Sequence, residues 1–369
     1  MNKIDYYNAV NSIKDKVHKR LFTNEEKTSI NHAFLKTNKR NYCDQISSIP
    51  FSLDEFIKNI YFIEMFNEYI LKEYKYGILD NIKIINDIKT KTRPSVFIAM
   101  HFSAFRAIPF ALKYLGLEVT VVINANFKSS IPNFDEFNIE YIYSDEFLFF
   151  SIENCLRNNK NILIYIDANW ANEVAESKYI ISNFLNNKIK LRKNIFEVAY
   201  KRNWQLIPVT IEEDEMFNLT MHIYKGINKT IEKQDVFIQT SVDIITTLYD
   251  PLIRKRPSSW TQWTGAHKLL IKEELSCEPA LLNNFKLLLF FLFKSNIELK
   301  FNSSIYTLYK NGNDFYILNM QNLDICKIPE LIFQILYFSE KITIKLLRRV
   351  LSVHDIKFLL IRQIINNPL

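Results

Sequence analysis

The sequence predicts an α/β fold, a mixed sheet flanked by helices, preceded by a helical region and followed by a small α+β domain. Three observations predict it. First, short runs rich in β-branched and aromatic residues, SVFIAM (95–100), VTVVI (119–123), IEYIY (139–143), ILIYI (162–166), QLIPVTI (205–211) and LTMHIY (219–224), are separated by amphipathic stretches at 103–115, 147–158 and 191–203. Runs of this kind suit strands buried on both faces between layers of helix. Second, residues 1–92 carry apolar side chains near a 3.6-residue spacing, as in Phe56, Ile57, Ile60, Phe62, Ile63, Phe66, Tyr69 and Ile70, and so are expected to be helical. Third, YTLYK (306–310), the turn Asn311-Gly312-Asn313-Asp314 and FYILNM (315–320) form a hairpin pattern, after which helical periodicity runs to the end. The expected divisions are therefore 1–92 (helical), 93–275 (α/β) and 280–369 (hairpin plus helices), with a long amphipathic helix from Val236 to Ile253 that stops before Pro257. No internal repeat is visible.

Composition narrows the function classes. A chain of 369 residues that is 48% hydrophobic can bury a full-sized core. Its 47 Lys and Arg against 40 Asp and Glu leave a charge of +7 spread along the chain. That balance is either ordinary solvated charge or a mild preference for an acidic partner, such as a carrier protein, an anionic membrane surface or a phosphate-bearing cofactor. Cys43, Cys155, Cys277 and Cys326 stand far apart, so reduced thiols are expected and no metal site. The first twenty residues are charged throughout, without the apolar core of a signal peptide or anchor. The longest apolar run, Leu287 to Phe293, is well short of the roughly 20 residues a spanning helix needs. A cytoplasmic chain is expected, with at most peripheral contact with the inner membrane. Five glycines, with many Asn, Lys and Ile, suggest an AT-rich bacterial genome and leave no P-loop or GxGxxG.

Chemistry is concentrated at the end of one predicted strand. SVFIAM runs directly into His101, and FSAFRAIPFALKYLG then reads as a helix that ends near Gly116. Open α/β sheets present reactive groups at the carboxyl ends of their strands, which is where this histidine falls. An imidazole can take up and return a proton near neutral pH.

Four blocks, in order, resemble the lysophospholipid acyltransferase superfamily, in particular its lipid A acyltransferase branch: HFSAFR (101–106), LRNNKNILIYIDANW (156–170), NFLNNKIKLRKNIFEVAYKRNWQLIPV (183–209) and RKRPSSWTQWTGAHK (254–268). The resemblance implies acyl transfer from a thioester to a hydroxyl or amine, with His101 as general base. It also implies a donor carried on coenzyme A or on the phosphopantetheine of an acyl carrier protein, with no permanently bound cofactor. The acceptor would be a lipid or a peptide, and nucleic acid is not expected as a partner.

One position departs from the family's pattern. Five residues after the histidine the family places an acidic side chain that orients the imidazole, and here that position is Arg106, which has five donors and no acceptor. Three readings stay open. Asp167, at the end of ILIYI, supplies the missing carboxylate from the neighbouring strand; or Arg106 binds a phosphate of the donor or the tetrahedral oxyanion; or the scaffold has lost chemistry and serves as a binding and assembly protein in a biosynthetic pathway.

Further candidates are weaker. Ser103 is either a contact to the acceptor or a helix N-cap. Arg157 matches an arginine that the family uses before the Asp167 strand. Trp260 and Trp263 are core residues or the lining of the substrate pocket. Glu173 and Glu176 read as surface, His222 as structural, and His267 as exposed or functional. The hairpin and helices from Tyr306 to Leu369 resemble small winged domains that bind leader peptides in ribosomal peptide-modifying systems. That likeness implies an edge strand near 305–320 that receives an extended peptide.

Overall fold

The structure, a computed structural model, describes residues 93–124, 139–144, 147–168, 176–214, 218–229, 233–271, 298–311, 313–320, 324–338 and 342–366, with shorter pieces before them that include 38–43 and 82–86. It divides into two compact units, one of residues 1–22 and 38–272, the other of 23–37 and 273–369.

The first unit is built on a mixed sheet. In chain order its strands are β1 (Ile82–Asn86), β2 (Val96–Ala99), β3 (Val119–Ile123), β4 (Glu140–Tyr143), β5 (Asn161–Tyr165), β6 (Tyr179–Phe184), β7 (Asn187–Arg192), β8 (Leu206–Glu213), β9 (Leu219–Ile223) and β10 (Leu270–Ile271). Seven of these form one sheet in the order β1-β9-β8-β2-β5-β3-β4. β8, β2, β5, β3 and β4 run parallel, and β9 turns back antiparallel on β8. The four residues of β2 are completely buried, as a central parallel strand covered on both faces requires. The helices α1 (Ile108–Tyr114), α2 (Leu148–Arg157), α3 (Asn194–Arg202) and α4 (Gln234–Lys255) fall where periodicity places them, and α4 ends two residues before Pro257. Each buried Ile, Val, Leu or Phe of this core contributes about 1.5–3 kcal/mol relative to an exposed one.

Two elements differ from expectation. Residues 82–86, inside the region expected to be helical, form β1 and pair in parallel with β9. The segment IKIIN is rich in β-branched residues, and an open sheet edge beside β9 offers it backbone partners that a helix would not. Within that same region Phe56 and Asn59 are helical and Lys39–Cys43 forms a π-helix, whereas most of the remaining positions, like the apolar run 287–293, lie outside the described residues. β6 and β7 form an unexpected hairpin, whose turn residues Leu185 and Asn186 both have left-handed φ of 51° and 58°.

The second unit carries β11 (Glu298–Phe301), β12 (Tyr306–Asn311), β13 (Asp314–Asn319), β14 (Ile325–Ile328), β15 (Ile342–Thr343) and β16 (Ile365–Asn366), with α5 (Glu330–Phe338), α6 (Ile344–Val350) and α7 (Val353–Ile361). The hairpin closes at Asn311 and Asp314, as the sequence predicts. α7 starts with a capping box between Ser352 and Asp355. This unit has a core of its own around Leu299, Ile317, Ile332, Leu336, Leu347 and Leu359. Among the described residues no helix is long and apolar enough to cross a membrane, and no group of His, Cys, Asp and Glu could hold a metal.

His267 links the two ends of the first unit. Its Nδ1 lies 3.1 Å from Asn38 Nδ2, which also donates to the carbonyl of Trp263 at 2.7 Å. An amide N–H can only donate, so Nδ1 accepts and the ring is neutral. Burial first, and Lys268 second, push the His267 pKa from 6.5 down to about 4. The unfolded chain therefore takes up a proton in a range where the folded chain does not, so this contribution is complete above about pH 6.5 and is lost as pH falls towards 4. In urea unfolding compared at about pH 7 and about pH 4.5, His267→Gln is expected to lose less stability on acidification than the parent chain. An equal loss in both would remove His267 from this account.

Candidate active site

The site begins with the register of β2 against β5. Ala99 pairs with Tyr165, and the N–H of Ile166 donates to the carbonyl of Ala99 at 3.0 Å. His101 and Asp167 each follow two residues later, so both emerge at the carboxyl rim of adjacent strands. His101 Nδ1 lies 2.6 Å from Asp167 Oδ1. The backbone N–H of His101 also donates to both carboxylate oxygens, at 3.1 and 3.0 Å, and Trp260 Nε1 donates to Oδ2 at 2.9 Å.

Asp167 is wholly buried. A carboxylate in such a place is tolerated when its lone pairs are met by donors, and here a ring N–H, a main-chain N–H and an indole N–H supply them. Because a carboxylate only accepts, the proton of the neutral imidazole sits on Nδ1 and the lone pair on Nε2. The histidine itself keeps 18% of its side-chain surface exposed. Its ring is held edge-on by Phe105 and flanked by Tyr165, with both centroids 4.8 Å away. Tyr165 is fixed in turn, its hydroxyl donating to the Phe105 carbonyl at 2.8 Å, and burial raises its pKa well above the usual phenol value.

The block 254–268 forms the second wall. Thr261 donates to the His101 carbonyl through both its N–H, at 3.0 Å, and its hydroxyl, at 3.1 Å. Phe102 forms a β-bridge with Trp260, so 101–103 and 259–261 run side by side. Below them Tyr249 of α4 donates to the Val209 carbonyl at 2.6 Å and accepts from the N–H of Met100 at 3.0 Å, which closes the end of β2.

The other candidates separate clearly. Arg106 is half-buried, its guanidinium carbon 5.8 Å above the Phe105 ring, and among the described residues no carboxylate pairs with it. Its charge is felt at Tyr141 and Tyr165, where it opposes the upward push of burial. Ser103 is not an N-cap: the cap position is Ala104, without a side-chain bond, and the Ser103 hydroxyl donates to Glu213 at 2.7 Å. Arg157 ends α2 beside the start of β5, the opposite end of that strand from Asp167, and pairs with Glu153 at 2.6 Å on the surface. Trp260 and Trp263 are completely buried; the first holds Asp167 and the second donates to the Pro257 carbonyl at 2.6 Å. Neither indole reaches an open cleft. His222 of β9 stacks on Tyr224, which follows the strand, with ring centroids 4.0 Å apart. Glu176 opens a short 3-10 turn, and Glu173 lies outside the described residues. Of the cysteines, Cys155 and Cys326 are free thiols.

Glu213, Tyr249, Phe105 and Tyr165 carry parts of the site that the sequence reading missed. The signal for Glu213 was the strand itself: β8 extends two residues beyond the expected QLIPVTI and brings a carboxylate to the rim.

No protein-family model matches the chain, and no curated protein matches it. Among solved structures it is similar to PlsC, the 1-acyl-sn-glycerophosphate (LPA) acyltransferase of Thermotoga maritima, at 13% identity and a TM-score of 0.32, over 56% of this chain and 85% of that one. A superposition that loose carries no weight for the chemistry, which rests on the geometry above.

Replacing Asp167 by Asn puts an amide N–H2 where donors converge. Asp167→Asn is expected to lower unfolding free energy by roughly 2–4 kcal/mol in urea titration, since one partner of a buried hydrogen-bonded pair is removed. A change below about 0.5 kcal/mol, the range of ordinary surface substitutions, would mean that this carboxylate is not the clamp described.

Proposed function

We propose that the chain transfers an acyl group from a thioester to a hydroxyl or amine, with His101 Nε2 as the general base. The observation that supports this best is the 2.6 Å contact between His101 Nδ1 and the buried Asp167, which leaves the opposite ring nitrogen basic on a partly exposed edge. Nε2 takes the proton of the acceptor as its oxygen or nitrogen attacks the thioester carbonyl. The carbon–sulfur bond then breaks, and the imidazolium returns the proton to the departing thiolate. In this reading the donor is coenzyme A or the phosphopantetheine of an acyl carrier protein, and Arg106 is the rim cation that meets a donor phosphate.

Turnover of an acyl thioester tests the assignment. His101→Ala is expected to abolish transfer, and Asp167→Asn to lower it far more than Arg106→Ala, because only Asp167 sets the tautomer. Equal rates for the parent and all three variants would overturn the mechanism.

The second unit favours a peptide as acceptor. β13 lies between β12 and β14, so among the described residues the free edges of this sheet are those of β12 and β14, and all three strands contribute to the lining of a cavity. The cavity, about 240 Å3, is lined by Ile317, Ile325, Phe358 and Arg362 among others. An extended peptide added to β14 would gain main-chain bonds from the strand and seat an apolar side chain in the cavity. Phe358→Asp is then expected to lower transfer to peptide acceptors at least tenfold while slowing hydrolysis of the same thioester much less, since about 1.4 kcal/mol of lost binding is a factor of ten. Equal effects on both would argue against a peptide site here. The same site would serve a binding and assembly protein if no thioester is turned over.

A further inference from the structure

Resting on the acyl-transfer reading above, we propose that Glu213 is a positioning residue for His101, acting through the hydroxyls of Ser103 and Ser259 to hold the turn that leads from the histidine into the helix. β8 pairs with β2 at Val96↔Leu206, Phe97↔Ile207 and Ile98↔Pro208 and continues past the point where β2 ends. Its last residue therefore reaches the rim on the side of His101 opposite β5. Three adjacent parallel strands thus deliver Glu213, His101 and Asp167 to one edge.

The contacts made by Glu213 all lead back to the two segments that frame the imidazole. Oε2 accepts from Ser103 Oγ at 2.7 Å and Oε1 from Ser259 Oγ at 3.1 Å. The main chains of the same two serines are joined by Ser103 N–H to the Ser259 carbonyl at 2.8 Å. The Arg256 guanidinium donates to the Glu213 main-chain carbonyl. Burial pushes the Glu213 carboxyl above its ordinary range, against the pull of both hydroxyls and of Arg256. A half-buried carboxylate of this kind is a costly way to fill space, and an apolar residue would pack there without the penalty.

What the bonds hold is a strained turn. Ser103 is 1% exposed and sits at φ 56°, a left-handed conformation that a residue with a Cβ rarely adopts without being held there. That turn swings the chain from strand to helix within four residues and brings the Phe105 ring edge-on against the imidazole. If Ser103 relaxes, Phe105 moves, and the angle of Nε2 to the substrate moves with it. Ser103 is too deeply buried to meet a thioester itself, so its part and that of Glu213 are carried through His101.

Two readouts test this. In protein carrying 15N-histidine, the His101 Nδ1–H, assigned by its loss in His101→Gln, is expected to shift or broaden in Glu213→Gln, in Ser103→Ala and in Ser259→Ala, while thermal melting shows each variant folded. In thioester turnover, each is expected to lower kcat about tenfold with KM within about twofold. The double variant Ser103→Ala with Glu213→Gln should be no slower than the slower single one, because the bond that Ser103→Ala removes is one of those that depend on the Glu213 carboxylate. Multiplying effects, a change confined to KM, or full activity in Ser103→Gly, which tolerates the turn without the hydroxyl, would each overturn the proposal. If the parent chain turns over no thioester, the functional reading fails by itself, and the His101 resonance decides this one: an unchanged line in Glu213→Gln overturns it.

Discussion

Asp167 carries its carboxylate in a place closed to water, and the cost of keeping a charge there explains much of what surrounds it. The donors that relieve the cost come from two distant parts of the chain: the main chain and ring of His101 at the end of β2, and the indole of Trp260 from the segment after α4. Removing any one would leave part of a buried charge unmet, which is worse than never having buried it. The carboxylate therefore joins β2, β5 and the segment 259–261 as well as orienting the imidazole. Stability and the readiness of Nε2 draw on the same bonds.

Much of the fold was legible because the sheet is central and parallel. Strands buried on both faces cannot hide among polar residues, so SVFIAM, VTVVI and ILIYI announce themselves, and β2, β3 and β5 fall within a residue or two of those runs. His101 was legible for the same reason, since it follows directly on one of them. Asp167 could be suggested by its place at the end of a strand, but only the register of β2 against β5 brings it against Nδ1.

The missed elements share a cause. The hairpin β6–β7 turns on Leu185 and Asn186, two positive-φ residues in a position where Asn-Gly or Asp-Gly would have signalled a turn. A chain with five glycines makes its left-handed turns from other residues, and tertiary bonds hold them: the N–H of Leu185 donates to Asp250 Oδ2 at 2.6 Å. Ser103 belongs with these. Read alone it resembles a helix cap; its partner lies 110 residues away. β1 was missed because an edge strand takes its identity from the neighbour it pairs with, and helical spacing upstream ran over it. Arg157 was singled out by position in a motif, whereas the direction of α2 carries it to the wrong end of the sheet.

The separations along the chain have a consequence for how the site is assembled. The contacts that make up the site span 66 residues between His101 and Asp167, 93 between Asp167 and Trp260, and 110 between Ser103 and Glu213. Closing loops of that length precedes any gain from the contacts, and folds dominated by distant pairings reach the native state slowly. No fragment that emerges early in synthesis holds the His101 ring in place, because Asp167, Trp260 and Glu213 are still to be made. The arrangement around His101 is thus a property of the completed fold and of no part of it.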